Sequence, residues 1–230
     1  MTRNTQTLLT YNNPKIVKGG KEGYLSAILH LAPHTLSGYN VCPFASPGCS
    51  SACLNTAGRG RMNQTQTARI NKTLFFMEER EEFMGRLIKE ITLHIKRAEK
   101  KGLTPCLRLN GTSDILWERI LHEDRTLMEH FPSLIFYDYT AIPKRTTPNN
   151  YSLTFSRKEN NHERCLEELS RGVNVAMVFD TIPEEYQGYR VINGDDNDLR
   201  FTDPSPVIVG LKAKGKAKKD MSGFVIRTSL

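Results

Sequence analysis

The sequence predicts a single α/β domain, a partial (βα)6 barrel with mostly parallel strands. Three observations lead to this. Short apolar runs rich in β-branched and aromatic residues recur along the 230 residues, and several alternate with helical stretches, as in parallel sheets. There are six such runs, whereas a complete eight-unit barrel usually needs about 250 residues. No repeat or low-complexity linker divides the chain, so residues 1–230 are treated as one unit. An open doubly wound sheet is the alternative arrangement of the same elements.

Residues 23–31, Gly-Tyr-Leu-Ser-Ala-Ile-Leu-His-Leu, read as the first buried strand. A Gly-, Pro- and Ser-rich loop follows over 32–61, and loops of this length in compact domains are usually functional or disordered. Residues 63–101 predict one long helix, because Phe83, Leu87, Ile91, Ile95 and Ala98 recur at helical spacing. Lys100-Lys101-Gly102 then supplies a basic last turn and a stop. Residues 104–110 read as the second strand. Asp114 is expected to cap a helix running to about His130. Residues 134–140 and 152–156 are the third and fourth strands. Asn161 is expected to cap a short helix ending at Gly172. Residues 173–180 and 207–211 complete the set, while 141–150 and 181–206 show no helical pattern.

The polar members of these strands gather at their C-terminal ends: Asn110, Asp138, Ser156, Asp180 and, if the last strand runs on, Lys212. Parallel sheets place ligand sites at that edge. Buried polar groups need partners, so the ring suggests either a bound small-molecule or anionic substrate or a mutual network. The plainer reading is that each residue begins a turn or caps a helix.

Hydrophobic residues make up 38% and charged residues 25%. No run of about 18 apolar residues exists, so no membrane contact is expected. The first residues lack the apolar core of a secretory leader, so the expected location is cytoplasmic. The net charge is +7. Five lysines crowd into residues 212–219, a segment that reads as a solvated loop or as a contact for nucleic acid.

Three of the five cysteines, Cys42, Cys49 and Cys53, fall within twelve residues of the 32–61 loop. In a reducing compartment such clustering indicates metal rather than disulfides. Thiolates are soft ligands that select zinc, copper(I) or iron–sulfur clusters. A [4Fe-4S] cluster suits three cysteines without an evident fourth ligand. Zinc remains an alternative, since Cys49 and Cys53 have a suitable spacing and His34 or His30 could complete a site. Unligated structural cysteines are the third reading. Cys106 at the start of a strand and Cys165 on a helix face are assigned to the core.

The arrangement resembles the radical S-adenosylmethionine (SAM) enzymes, which carry three cysteines after the first strand of a partial barrel. The chain as a whole also resembles the bacteriophage gene product 88-like family, through Cys42-Pro-Phe-Ala-Ser-Pro-Gly-Cys49, Cys53-Leu-Asn-Thr-Ala-Gly-Arg-Gly, Leu109-Asn-Gly-Thr-Ser-Asp114 and Tyr137-Asp-Tyr-Thr140. The first resemblance implies a [4Fe-4S] cluster with one iron open to SAM, and an electron donor. It implies that Asn110, Asp114, Ser156 and Arg157 position SAM, and that Asp138, Asp180 and Lys212 face the substrate. The second implies a host-cytoplasmic protein, and suits a non-enzymatic role in binding nucleic acid or a host protein. The Cys-x6-Cys-x3-Cys spacing departs from the usual Cys-x3-Cys-x2-Cys, and Ala52 stands where an aromatic is usual.

Overall fold

The computed structural model describes residues 7–11 and 20–228. All six predicted strands form: β2 (Tyr24–Leu29), β3 (Thr104–Arg108), β4 (Ile135–Thr140), β5 (Tyr151–Ser156), β6 (Val175–Phe179) and β9 (Ile208–Lys212). They lie side by side in chain order and every pairing is parallel. A doubly wound sheet reverses its strand order at a switch point. None of these six does, so that alternative is excluded.

Among the described residues four further strands, three of them of two residues, extend the sheet to ten. β1 (Leu9–Thr10) pairs antiparallel with β2 at one edge. β7 (Glu185–Tyr186) and β8 (Tyr189–Asn193) form a hairpin at the other, with β8 parallel to β9. β10 (Val225–Ile226) pairs with the last residues of β6. The sheet is mostly parallel and is not closed.

Side chains alternate across a strand, and the two faces bury different partners. One face sends Ala27, Leu29, Leu107, Leu109 and Phe136 against α2 (Asn63–Glu78) and α3 (Arg80–Lys100), where Phe75, Phe76, Phe83, Leu87 and Ile91 complete the core. Further along, the same layer holds Cys165 and Leu169 of α5 (His162–Ser170) against Phe155, Val175 and Met177. Fully burying one such side chain contributes roughly 1.5–3 kcal/mol. The opposite face carries Cys106 and Tyr137 against Leu199 and Phe201.

Two helix expectations are corrected. Residues 63–101 form two helices, because Glu79 leaves the helical region at φ −130°, ψ 52°. The break lets Phe75 and Phe76 of α2 stack edge-on with Phe83 of α3, while Arg80 lies over the Phe76 ring and donates to its carbonyl. A one-residue break absorbed by tertiary stacking leaves no Gly or Pro to mark it. The helix expected from Asp114 to His130 reduces to a 3-10 turn, Trp117–Arg119, and a single turn, α4 (Leu127–His130). Thr126, not Asp114, caps α4, in a capping box with Glu129. No helix among the described residues is long and apolar enough to cross a membrane.

Candidate functional site

The 32–61 loop leaves the C-terminal end of β2 and runs across the same edge of the sheet. It contains α1 (Pro47–Ser51), which carries Cys49, with Ser46 as N-cap and Pro47 opening the helix. Later parts of the chain fasten it. After β5, Glu159 accepts hydrogen bonds from Ser46 Oγ (2.6 Å) and Gly48 N (2.8 Å), placing a carboxylate at the α1 N-terminus. Lys158 donates to the Phe44 carbonyl. After β3, Asp114 N donates to Val41 O (2.8 Å). After β9, Ala213 and Ala217 pack with Ala52 and with Val225 of β10. Residues after three strands thus hold one loop at the C-terminal edge.

All three loop thiols are half-buried and none is in a disulfide. Burial pushes Cys42 up to about 12. The His34 N–H, 3.3 Å from its sulfur, partly opposes that shift, while Cys53, Asp114 and Cys49 add to it. Cys49 rises to about 11 through burial and Cys53, with Lys158 pulling it down. Cys53 is raised by burial and lowered by the Asn55 N–H and by Arg69. The trio therefore shares one electrostatic environment, with Lys158 acting on Cys49 and Arg69 on Cys53. As free thiols these groups are protonated at neutral pH and poor nucleophiles; a bound metal would deprotonate them. Among the described residues no group of three or more His, Cys, Asp or Glu side chains is placed to hold a metal ion.

Cys106 and Cys165 lie elsewhere. Cys106 is wholly buried beside Ser26 Oγ (3.0 Å), and Cys165 is buried on α5. His34 gives Cys42 only its backbone N–H, since its ring meets Thr35 Oγ1 (3.2 Å). The His30 imidazole is held well below its ordinary pKa by burial and by Arg69, Arg108 and Lys72.

The polar ring expected at the strand ends divides. Asp138 is 0% exposed. Its carboxylate accepts from Asn110 N (2.8 Å), Leu109 N (3.3 Å) and Tyr151 Oη (2.8 Å), and Arg108 Nε lies 3.7 Å away. Both oxygens are thus turned to the chain rather than to a substrate. Asn110 organises the next loop: its Oδ1 accepts from Ser113, Ile115 N and Trp117 Nε1. Asp114 accepts from Thr140 Oγ1 and Ala141 N, both at 2.8 Å, and pairs with Arg145. Arg157 donates to the Gly223 and Phe224 carbonyls. Asp180 accepts from Thr181 N and from both the N–H and hydroxyl of Thr228. These five residues hold the chain together. Ser156 is half-buried and Lys212 is exposed beyond them.

Sequence reasoning missed Glu159 and Arg69, and did not give Lys158 a role at the cysteines. Nothing local marks them, because each acquires its role from a partner more than ten residues away. The family model described as Gene product 88 matches residues 6–228. No curated protein and no solved structure matches the chain.

Proposed function

The chain belongs to the Gene product 88 family, and on that premise we propose that this protein binds an iron–sulfur cluster through Cys42, Cys49 and Cys53. The observation that carries the reading is the shared environment of three half-buried thiols on one loop, fastened at the C-terminal edge of six sequential parallel strands. The donor set fits the group. The thiols are soft ligands, the His34 N–H already points at one sulfur, and Arg69 and Lys158 supply positive charge beside two of the thiols. A zinc ion, with Zn–S bonds of about 2.3 Å, would draw its sulfurs to about 4 Å of one another. Zinc on the same three thiols is the alternative reading, and metal analysis separates the two.

When bound, the cluster would supply one-electron redox chemistry, with an iron left open for want of a fourth cysteine. The chain's residues would hold it (the three cysteines), offset its negative charge (Arg69 and Lys158) and fix the loop (Glu159). The finer reading, a radical SAM-type enzyme on a partial (βα)6 barrel with an external electron donor, draws support from the sequential strand order. Of the residues proposed to position SAM, Ser156 alone keeps its hydroxyl uncommitted. Asn110, Asp114 and Arg157 would have to exchange chain partners for the ligand.

The test is anaerobic purification and reconstitution, followed by iron and sulfide analysis and an absorption spectrum. A brown protein absorbing near about 400 nm is expected. Alanine at Cys42, Cys49 or Cys53 should each bleach it, and alanine at Cys106 or Cys165 should not. Colourless, iron-free protein after reconstitution overturns the proposal. Incubation with SAM and dithionite tests the finer reading alone, by formation of methionine and 5′-deoxyadenosine.

A further inference from the structure

Beside the cysteine loop the fold joins two basic segments that are far apart in sequence. Residues 58–61, Gly-Arg-Gly-Arg, form a 3-10 turn that exposes Arg59 and Arg61. Residues 215–219, Gly-Lys-Ala-Lys-Lys, form another that exposes Lys216, Lys218 and Lys219. The second turn packs against the residues leading into the first. Gly215, at φ +57°, comes so near that an added Cβ would lie 2.9 Å from Ala57 Cβ and 3.1 Å from the Thr56 carbonyl. Buried Ala217, packed with Ala52, fixes this second turn with its lysines outward. Lys212 at the end of β9 adds a further exposed cation.

Lys214 pairs with Asp195 at 2.6 Å. Among the described residues, Arg59, Arg61, Lys212, Lys216, Lys218 and Lys219 have no ion-pair partner. Six exposed cations thus fall within two adjoining segments, with Asp195 and Asp220 the carboxylates beside them. An exposed cation array that outnumbers its neighbouring carboxylates attracts a polyanion.

We infer that this joint face, built from residues 58–61 and 212–219, binds the phosphate backbone of nucleic acid. Neither turn carries an aromatic ring, so base stacking has no platform and the contacts are to phosphate. Neither forms the amphipathic helix that lies on a membrane surface. Exposed Leu54 and Met62 flank the first turn, which makes anionic vesicles the proper competing arm. The inference does not rest on the cluster.

The experiment is fluorescence anisotropy of a labelled DNA duplex titrated with the full chain, with and without iron, over a salt series. Six phosphate contacts give a slope of log K against log salt of about −5. Arg59→Ala/Arg61→Ala should flatten the slope by roughly 2, and Lys216→Ala/Lys218→Ala/Lys219→Ala by roughly 3. Each is expected to weaken low-salt binding tenfold or more. Thermal melts check folding, and Lys→Gln or Arg→Gln variants replace any alanine variant that melts early. Absence of binding at low salt overturns the inference. So does binding by the arginine variant at the parent's affinity, or tight binding to phosphatidylserine vesicles without binding to the duplex. Any of these outcomes leaves the iron analysis untouched.

Discussion

Asp138 offers the sharpest test of how this fold uses its polar groups. Asp138→Ala removes a carboxylate that two backbone N–H groups and the Tyr151 hydroxyl all address, with Arg108 beside it. Each of the three buried donors left without its acceptor costs about 1–3 kcal/mol, while Arg108 keeps Asp198 at 3.0 Å. The donors share one site and their costs overlap, so the expected loss is about 3–5 kcal/mol rather than their sum. Urea unfolding measures it. Trp117, the one tryptophan, is wholly buried and bonded to Asn110, so its fluorescence reports on the same network. A loss below about 1 kcal/mol would refute the structural role and return Asp138 to the substrate-facing set. The residue also predicts a pH dependence. Burial pushes its carboxyl up to about 7, against the pull of Arg108, Tyr151 and Asn110. Its folded value therefore exceeds its unfolded one. Its contribution is full below the ordinary carboxylate range and is lost as pH rises from about 4 to 7, at up to about 1.4 kcal/mol per unit. In Asp138→Asn that component should vanish.

Two further changes probe the supports. In Gly48→Ala the new Cβ would meet Ser222 Oγ and lie 2.6 Å from the Glu159 carboxylate. The Glu159 carboxylate must then leave the α1 N-terminus or the turn must lift, costing about 1–3 kcal/mol; reconstituted protein should retain less iron per chain, and parent-like iron content would show that the anchor is dispensable. Thr126→Ala removes the α4 capping box and should lower stability by about 1 kcal/mol in urea, without altering iron content.

The sequence alone determined the six strands, because alternating and apolar runs are local signals that short-range sterics and burial enforce. It determined that three thiols share one loop, since the Gly-, Pro- and Ser-rich run from 32 to 61 carries no strand or long-helix pattern to separate them. It also placed Cys165 and Leu169 on the buried face of a helix that stops just before Gly172, which adopts φ +84°. Tertiary structure alone decided what the strand-end polar groups face. Asp138, Arg157 and Asp180 stand where ligand-binding residues would stand, yet their partners are Tyr151, Gly223 and Thr228. The chain order does not reveal those pairings. The break at Glu79, the strand Val225–Ile226 beside β6 and the meeting of Thr56 and Ala57 with Gly215 belong to the same class. Each depends on contacts between segments distant in sequence. The hydrophobic pattern says which face is buried, but not which distant group will satisfy a polar atom there.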